Sequence, residues 1–244
     1  MRDPFLGVVL LLAFVLRIYG LDHGLPFVYN PDEANIMARA LSVAKGIDPG
    51  YYLYPSFFFY FLFVAMGGLF VFGLLLGRYE NVADFQVQFF SNPTDFYILG
   101  RFVSVVAALI TIVITYRLAA KHFGQTAARA ASLFTAVAYF NVRDAHYLKH
   151  DVVSGLLFVL SLWAIDRAIE RKRTQDYIST GIVFGIAFAT HYYMIFLAPA
   201  LVACHWTARR FEKIGQVFYC GAASVITFCL LSPFVVLRLP TAIS

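Results

Sequence analysis

The chain has 244 residues, 61% of them hydrophobic and 14% charged, with a mean hydropathy of +0.73 and a formal net charge of +5. That balance excludes an ordinary soluble domain, and apolar residues gathered in long runs describe a polytopic helical membrane protein. No basic run interleaved with stacking aromatics lies in a soluble segment, which argues against nucleic-acid binding.

The first apolar run, residues 5–19, ends on Arg17, whose stem is long enough to snorkel. No small-x-small cleavage site follows it, so it reads as an uncleaved span. Asn30-Pro31-Asp32-Glu33 comes next: Asn30 is a good N-cap, Pro31 fits the first helical position, and Glu33 sits three residues after the cap. Residues 34–45 then form an amphipathic helix with Ile36, Met37, Ala40, Leu41 and Ala44 on its apolar side, and Arg39 nearly on the face of Asp32. Asp48-Pro49-Gly50, Tyr54-Pro55 and Asn92-Pro93 punctuate the next stretch as turns. Further spans are expected at 98–119, 126–143, 151–169, 177–191, 192–208 and 216–237. Gly181, Gly185 and the Gly67-Gly68 pair read as helix-packing positions, and Cys204, Cys220 and Cys229 as small packing residues in apolar runs.

Residues 54–76 are also long and apolar enough to cross, and the basic residues decide the topology. If this segment does not cross, Arg2, Arg117, Lys121, Arg129, Arg167, Arg171, Lys172, Arg173, Arg209, Arg210 and Lys213 share one side, more than half of the 19 basic residues. Most of the 14 acidic residues then face the other side. If it did cross, the basic loops and the Asp32 loop would share a side. The expected fold is therefore all-α, a single module over 1–244: a polytopic transmembrane helical bundle of about seven spans. Its long external first loop, 20–97, carries amphipathic and interfacial helices, with 54–76 lying in or dipping into the interface.

Two readings compete for each polar residue near that loop. Asp32 and Glu33 either favour the positive end of a helix dipole or are functional carboxylates at a membrane surface. Arg101 opens a span, and either snorkels or meets an anion. Arg143, Asp144, His146, Lys149, His150 and Asp151 form a dense polar cluster between spans. His146 and His150 are four apart and, with Asp151, are of metal-ligand type, although such a pair in a loop is common without a metal. His191, at a turn, is either a satisfied polar residue or a ligand. Cations beside a carboxylate pair suit a phosphate headgroup, with a carboxylate free to act as base. No Walker loop or Rossmann glycine fingerprint is present, so a lipid-borne sugar donor fits better than a soluble nucleotide-sugar.

Pro31-Asp32-Glu33 with its amphipathic helix, Asp48-Pro49, Tyr54-Pro55-Ser56, Gly100-Arg101, Lys121-His122-Phe123-Gly124, the stretch from His146 to Asp151, and Thr190-His191-Tyr192 together resemble GT-C membrane glycosyltransferases. The order is similar to the protein O-mannosyltransferase and lipid A aminoarabinose transferase branch. The resemblance implies an inverting transfer from a polyprenyl-phosphate-linked sugar to an acceptor that is a glycan, lipid or protein. Asp32 would be the base, Glu33 its neighbour, and Asp151 a second acid beside the same cavity. Arg101, Lys149, Arg39 and His191 would bind the donor phosphate, and a divalent metal at Asp151, His146 and His150 is left open.

Many relatives have Lys where this chain has His191, which removes a fixed charge unless the imidazole is protonated. Relatives also run longer, so the chain resembles their N-terminal module, and a partner chain would supply the C-terminal half. The implied location is a bacterial or archaeal plasma (inner) membrane, multi-pass and in contact with its lipids, with the site extracytoplasmic. The rivals are a non-catalytic component that binds polyprenyl-phosphate lipid, such as a flippase or scaffold, and one half of a split transferase. Ionisable residues at span ends rather than at mid-membrane favour interfacial chemistry over transport.

Overall fold

The computed structural model describes residues 3–209, 212–238 and 240. Among them every regular element is helical: α1 (Pro4–Ile18), α2 (Pro31–Ser42), α3 (Phe57–Leu75), α4 (Val82–Ser91), α5 (Thr94–Val137), α6 (Tyr139–Asp144), α7 (His150–Arg171), α8 (Thr174–Thr190), a 3-10 turn (Tyr192–Phe196), α9 (Leu197–Arg209), α10 (Gly215–Leu231) and α11 (Pro233–Leu237). Three of these, α3, α5 and α7, are long and apolar enough to cross a membrane, and α1 and α10 are shorter apolar helices. The protein is an all-helical membrane bundle.

Two expected spans are one continuous helical element with a reversal inside it. Gly124 takes φ 85° and ψ 177° within α5, a conformation that side-chain-bearing residues avoid. The limb 125–137 therefore runs back beside α1. Arg129 Nε lies 2.9 Å from Asp3 Oδ2 at the start of α1, and Arg17 near its end donates to Ala136 O at 2.9 Å. Arg17 does not snorkel. It is fully buried, and its guanidinium caps the last turn of α5, where helix carbonyls lack partners along the chain.

The polar residues sort to two ends of the bundle. At one, Lys121 bonds Asp166 and Glu170, each at 2.7 Å, and Arg167 bonds Asp176 at 2.8 Å. These are the basic loops that the sequence groups on one side; Arg2 and Arg210 lie outside the described residues. At the other end are Glu33 with Arg101, Asp32 with Lys149, and Asp48 with Arg238. We call this second end the site end.

Both ends of α3 touch the site end. At its start, Phe58 lies 4.8 Å, ring to ring, from His150 at the head of α7, and Ser56 N donates to Ser232 Oγ between α10 and α11 at 3.0 Å. Towards its finish, Phe70 packs on Phe85 of α4 (5.2 Å), which packs on Phe96 in the first turn of α5 (4.6 Å). A helix running down the bundle would carry its far end to the basic loops, whereas α3 passes across the site end. Its inner face, Phe58, Phe59, Leu62 and Met66, buries against Ile36, Met37 and Ala40 of α2 and against Tyr97 and Leu148.

Gly181 and Gly185 are where α8 meets α10 backbone to backbone. A Cβ at 181 would sit 2.2 Å from Cys220 O, and one at 185 would sit 2.4 Å from Thr227 Cβ. Gly67 and Gly68 correct the sequence reading: a Cβ there meets nothing within 4 Å, because they point away from the α2 face. Of the free cysteines, Cys220 is buried, but Cys204 is exposed and does not pack as expected. Gly181→Val should cost about 1–3 kcal/mol by overpacking, read as a fall in the thermal unfolding midpoint in detergent. Gly67→Val should leave that midpoint in place. An unchanged midpoint in Gly181→Val would contradict the close α8–α10 contact.

Candidate functional site

Asn30 caps α2 as its sequence predicts, accepting from Asp32 N at 3.0 Å. The helix then divides the two adjacent carboxylates. Glu33, Ile36, Met37 and Ala40 follow the i, i+3, i+4, i+7 stripe of one helix face, and all four are buried. Asp32 is one step off the stripe, with 62% of its side chain exposed.

Glu33 does not reach back to the cap. It takes a two-pronged bond from Arg101, Nε to Oε1 at 2.9 Å and Nη2 to Oε2 at 2.8 Å, and Oε1 also accepts from Leu148 N at 2.7 Å. Arg101 is 2% exposed, and its Nη1 donates to Leu21 O and His23 O at 2.7 and 2.9 Å. The pair therefore ties together four pieces of chain: the segment after α1, the head of α2, the second turn of α5 and the loop before α7. Gly100 makes room for it, since a Cβ there would lie 2.2 Å from Leu148 Cδ1. Ser104 Oγ, one turn on, donates to Tyr147 O at 2.9 Å and holds the same loop. Buried and satisfied in this way, Arg101 and Glu33 are positioning residues.

Asp32 keeps the opposite environment. It lines a cavity of about 390 Å³ with His23, Tyr29, Asn30 and Tyr147, above the Glu33–Arg101 pair. Its one charged partner is Lys149, Nζ to Oδ2 at 2.9 Å. Burial works against the Lys149 charge, yet Asp32, helped by Asp151 and Asp144, raises its pKa above the ordinary lysine value. Lys149 thus stays cationic at neutral pH.

The remaining expected residues scatter. Arg39 stacks on Tyr51 at 5.0 Å and reaches Pro49 O at 3.4 Å, outside the Asp32 cavity. Asp151 is exposed and lines a different cavity from Asp32, together with Arg17 and Asp144. His191 is half-buried against Tyr54 and Tyr193. Burial pushes its pKa below the ordinary histidine value, with Asp151 pulling the other way, so it supplies no fixed cation at neutral pH. His150 is buried in face contact with Tyr54 at 4.4 Å.

The proposed metal set does not assemble. His146 places both ring nitrogens on carbonyls, Nδ1 on Val142 O at 2.8 Å and Nε2 on Tyr19 O at 3.0 Å, which leaves no lone pair for a cation. Among the described residues no group of three or more His, Cys, Asp or Glu side chains could hold a metal ion. His23, Tyr29 and Tyr147 line the Asp32 cavity without standing out in the sequence; no motif marks them.

Glu33→Gln would leave the Arg101 charge buried without its counter-ion, a loss of about 3–5 kcal/mol. The expected result is a large fall in the thermal unfolding midpoint, partly recovered by pairing Glu33→Leu with Arg101→Met. Asp32→Asn, at an exposed position, should stay within about 0.5 kcal/mol of the parent. Equal stability losses in Glu33→Gln and Asp32→Asn would contradict the division.

Residues 89–237 match the family model described as dolichyl-phosphate-mannose-protein mannosyltransferase. The match takes in Arg101, Lys149, Asp151 and His191 and begins after α2, so Asp32 and Glu33 enter the site through their contacts with it. No curated protein and no solved structure matches the chain.

Proposed function

The chain belongs to the dolichyl-phosphate-mannose-protein mannosyltransferase family, and on that premise we propose that it transfers a sugar from a polyprenyl-phosphate donor to an acceptor with inversion, Asp32 serving as base. Membership makes it a membrane glycosyltransferase that uses such a donor. The observation that carries the finer reading is the division of the carboxylate pair. Glu33 is locked to Arg101, and Asp32 alone opens onto the cavity with a cation at 2.9 Å.

In this reading the acceptor's nucleophilic oxygen attacks the anomeric carbon from the face opposite the phosphate. The carbon–oxygen bond to phosphate breaks, its electron pair leaves with polyprenyl phosphate, and the acceptor proton passes to the Asp32 carboxylate. Lys149 stands beside the base and is the cation nearest to it. An arriving donor phosphate competes for that ammonium, which then offsets the charge growing on the leaving group and frees Asp32 to take a proton. Arg101 already spends its donors on Glu33 and two carbonyls, which supports Lys149 over Arg101 as the phosphate contact. Placement of this cavity on the extracytoplasmic face rests on the separation of the basic loops from the site end. The likeness to the protein O-mannosyltransferase and aminoarabinose transferase branch rests on motif order.

The test is transfer from a radiolabelled polyprenyl-phosphate sugar in membranes containing the chain. Asp32→Asn should lower transfer by about 10²–10⁴-fold, the usual contribution of a general base, while donor lipid stays bound. Lys149→Ala should weaken donor binding itself. Transfer by Asp32→Asn at the parent rate would overturn the assignment of the base. Donor binding without transfer by the parent chain would favour the non-catalytic lipid-binding reading.

A further inference from the structure

Arg17 is a buried cation that the transfer chemistry at Asp32 does not use. Its side chain has no exposure, and among the described residues no carboxylate lies within ion-pair distance of it. Nη1 donates to Ala13 O and Ala136 O at 3.0 and 2.9 Å, and Nη2 approaches Thr135 O at 3.5 Å. Nε has no partner. A guanidinium taken out of water and left with a free N–H is costly unless something completes its shell. It borders a cavity of about 200 Å³ between α1, the returning limb of α5, α6 and α7.

The rest of that wall identifies the ligand chemistry. Asp151 makes no ion pair among the described residues and presents a free acceptor, whereas Asp144 is already held by Arg143 at 2.6 Å. Thr111 and Thr135 give their hydroxyl protons to backbone carbonyls, so their oxygens can only accept from a ligand. Two cations and two carboxylates leave the neighbourhood without net charge, which offers an anion no net attraction. One donor wall, several acceptors and an apolar side at Phe140 and Val152 suit a neutral ring that carries hydroxyls at its edge and C–H groups on its face. The volume is that of roughly seven waters at about 30 Å³ each, too small for a headgroup with its lipid chain and below the range of about 300–1,000 Å³ common for larger ligands.

We propose that the Arg17 cavity is a subsite for a single pyranose ring, held between the Arg17 Nε–H and the Asp151 carboxylate. The ring is either the sugar of the lipid donor or a sugar unit of the acceptor. This rests on the glycosyltransferase reading for its source of sugar but not for its binding chemistry. Gly155 provides a clean probe, because it lines the cavity and a Cβ there meets nothing within 4 Å. A larger side chain at 155 therefore fills the space without touching Arg17 or Asp151.

The experiment is saturation-transfer difference NMR on the full chain in lipid nanodiscs, with methyl α-mannoside, glucoside and galactoside as probes. At least one should give a signal on the parent protein. Gly155→Leu should abolish it, Asp151→Ala should weaken affinity at least about tenfold, and Gly67→Leu, which faces open space, should leave it intact. Absence of a signal from every probe on the parent chain, or a signal undiminished in either Gly155→Leu or Asp151→Ala, overturns the proposal. Displacement of the probe by polyprenyl-phosphate sugar identifies the donor's ring, and simultaneous binding identifies the acceptor's. The readout needs no turnover. Intact ring binding without any transfer would overturn the catalytic reading alone, and transfer without ring binding would overturn the subsite alone.

Discussion

The buried bond between Glu33 and Arg101 is the constraint on which the site end depends. Two opposite charges are taken out of water there, and they are tolerable only because both side chains are fully engaged. Glu33 also accepts from Leu148 N, and Arg101 also donates to two carbonyls of the segment after α1. Each of those bonds fixes a different piece of chain against α5. The head of α2 is held at one orientation, so its next residue outward, Asp32, faces the cavity. The loop before α7 is held as well, which brings Lys149 to Asp32. A pair of this kind contributes little net stability compared with a well-packed apolar replacement. Its value lies in specifying one arrangement of four segments that hydrophobic packing alone would leave loosely related.

The same end is completed by a helix of unusual habit. α3 has the length and composition of a membrane span, yet its two ends touch α7 and the α4–α5 junction at the site end. The phenylalanines on its inner face pack on the apolar stripe of α2, while Phe61, Val64, Val71 and Phe72 stay exposed on its outer face. That distribution suits a helix lying against lipid and roofing the cavity region. It also reconciles an apolar segment long enough to cross with basic loops gathered at the opposite end.

Much of this was legible in the sequence. The seven runs expected to span each correspond to a helical limb, and the cap at Asn30 forms as read, because periodicity and capping are local properties. The division of labour between Asp32 and Glu33 was written in the same stripe, since Glu33 shares the register of Ile36, Met37 and Ala40. A carboxylate on an apolar stripe predicts a buried partner, but identifying Arg101, 68 residues away, needs tertiary structure. Arg17 was read as a snorkelling end-residue for the same reason: its acceptors at 135 and 136 come from a limb that returns only because of the reversal at Gly124. His146 and His150 looked like a ligand pair by spacing. The turn between them sends one ring to backbone carbonyls and the other into an aromatic stack, an outcome that spacing cannot foresee.

The central claim is that Glu33 and Arg101 hold the site while Asp32 and Lys149 meet the donor. The measurement that tests it most directly is a cryo-electron microscopy structure of the chain with a polyprenyl-phosphate sugar bound. The account predicts donor phosphate within hydrogen-bond reach of Lys149, in the cavity beside Asp32, with the two-pronged Glu33–Arg101 bond unchanged. Donor phosphate on Arg101, with Glu33 released from it, would contradict the account.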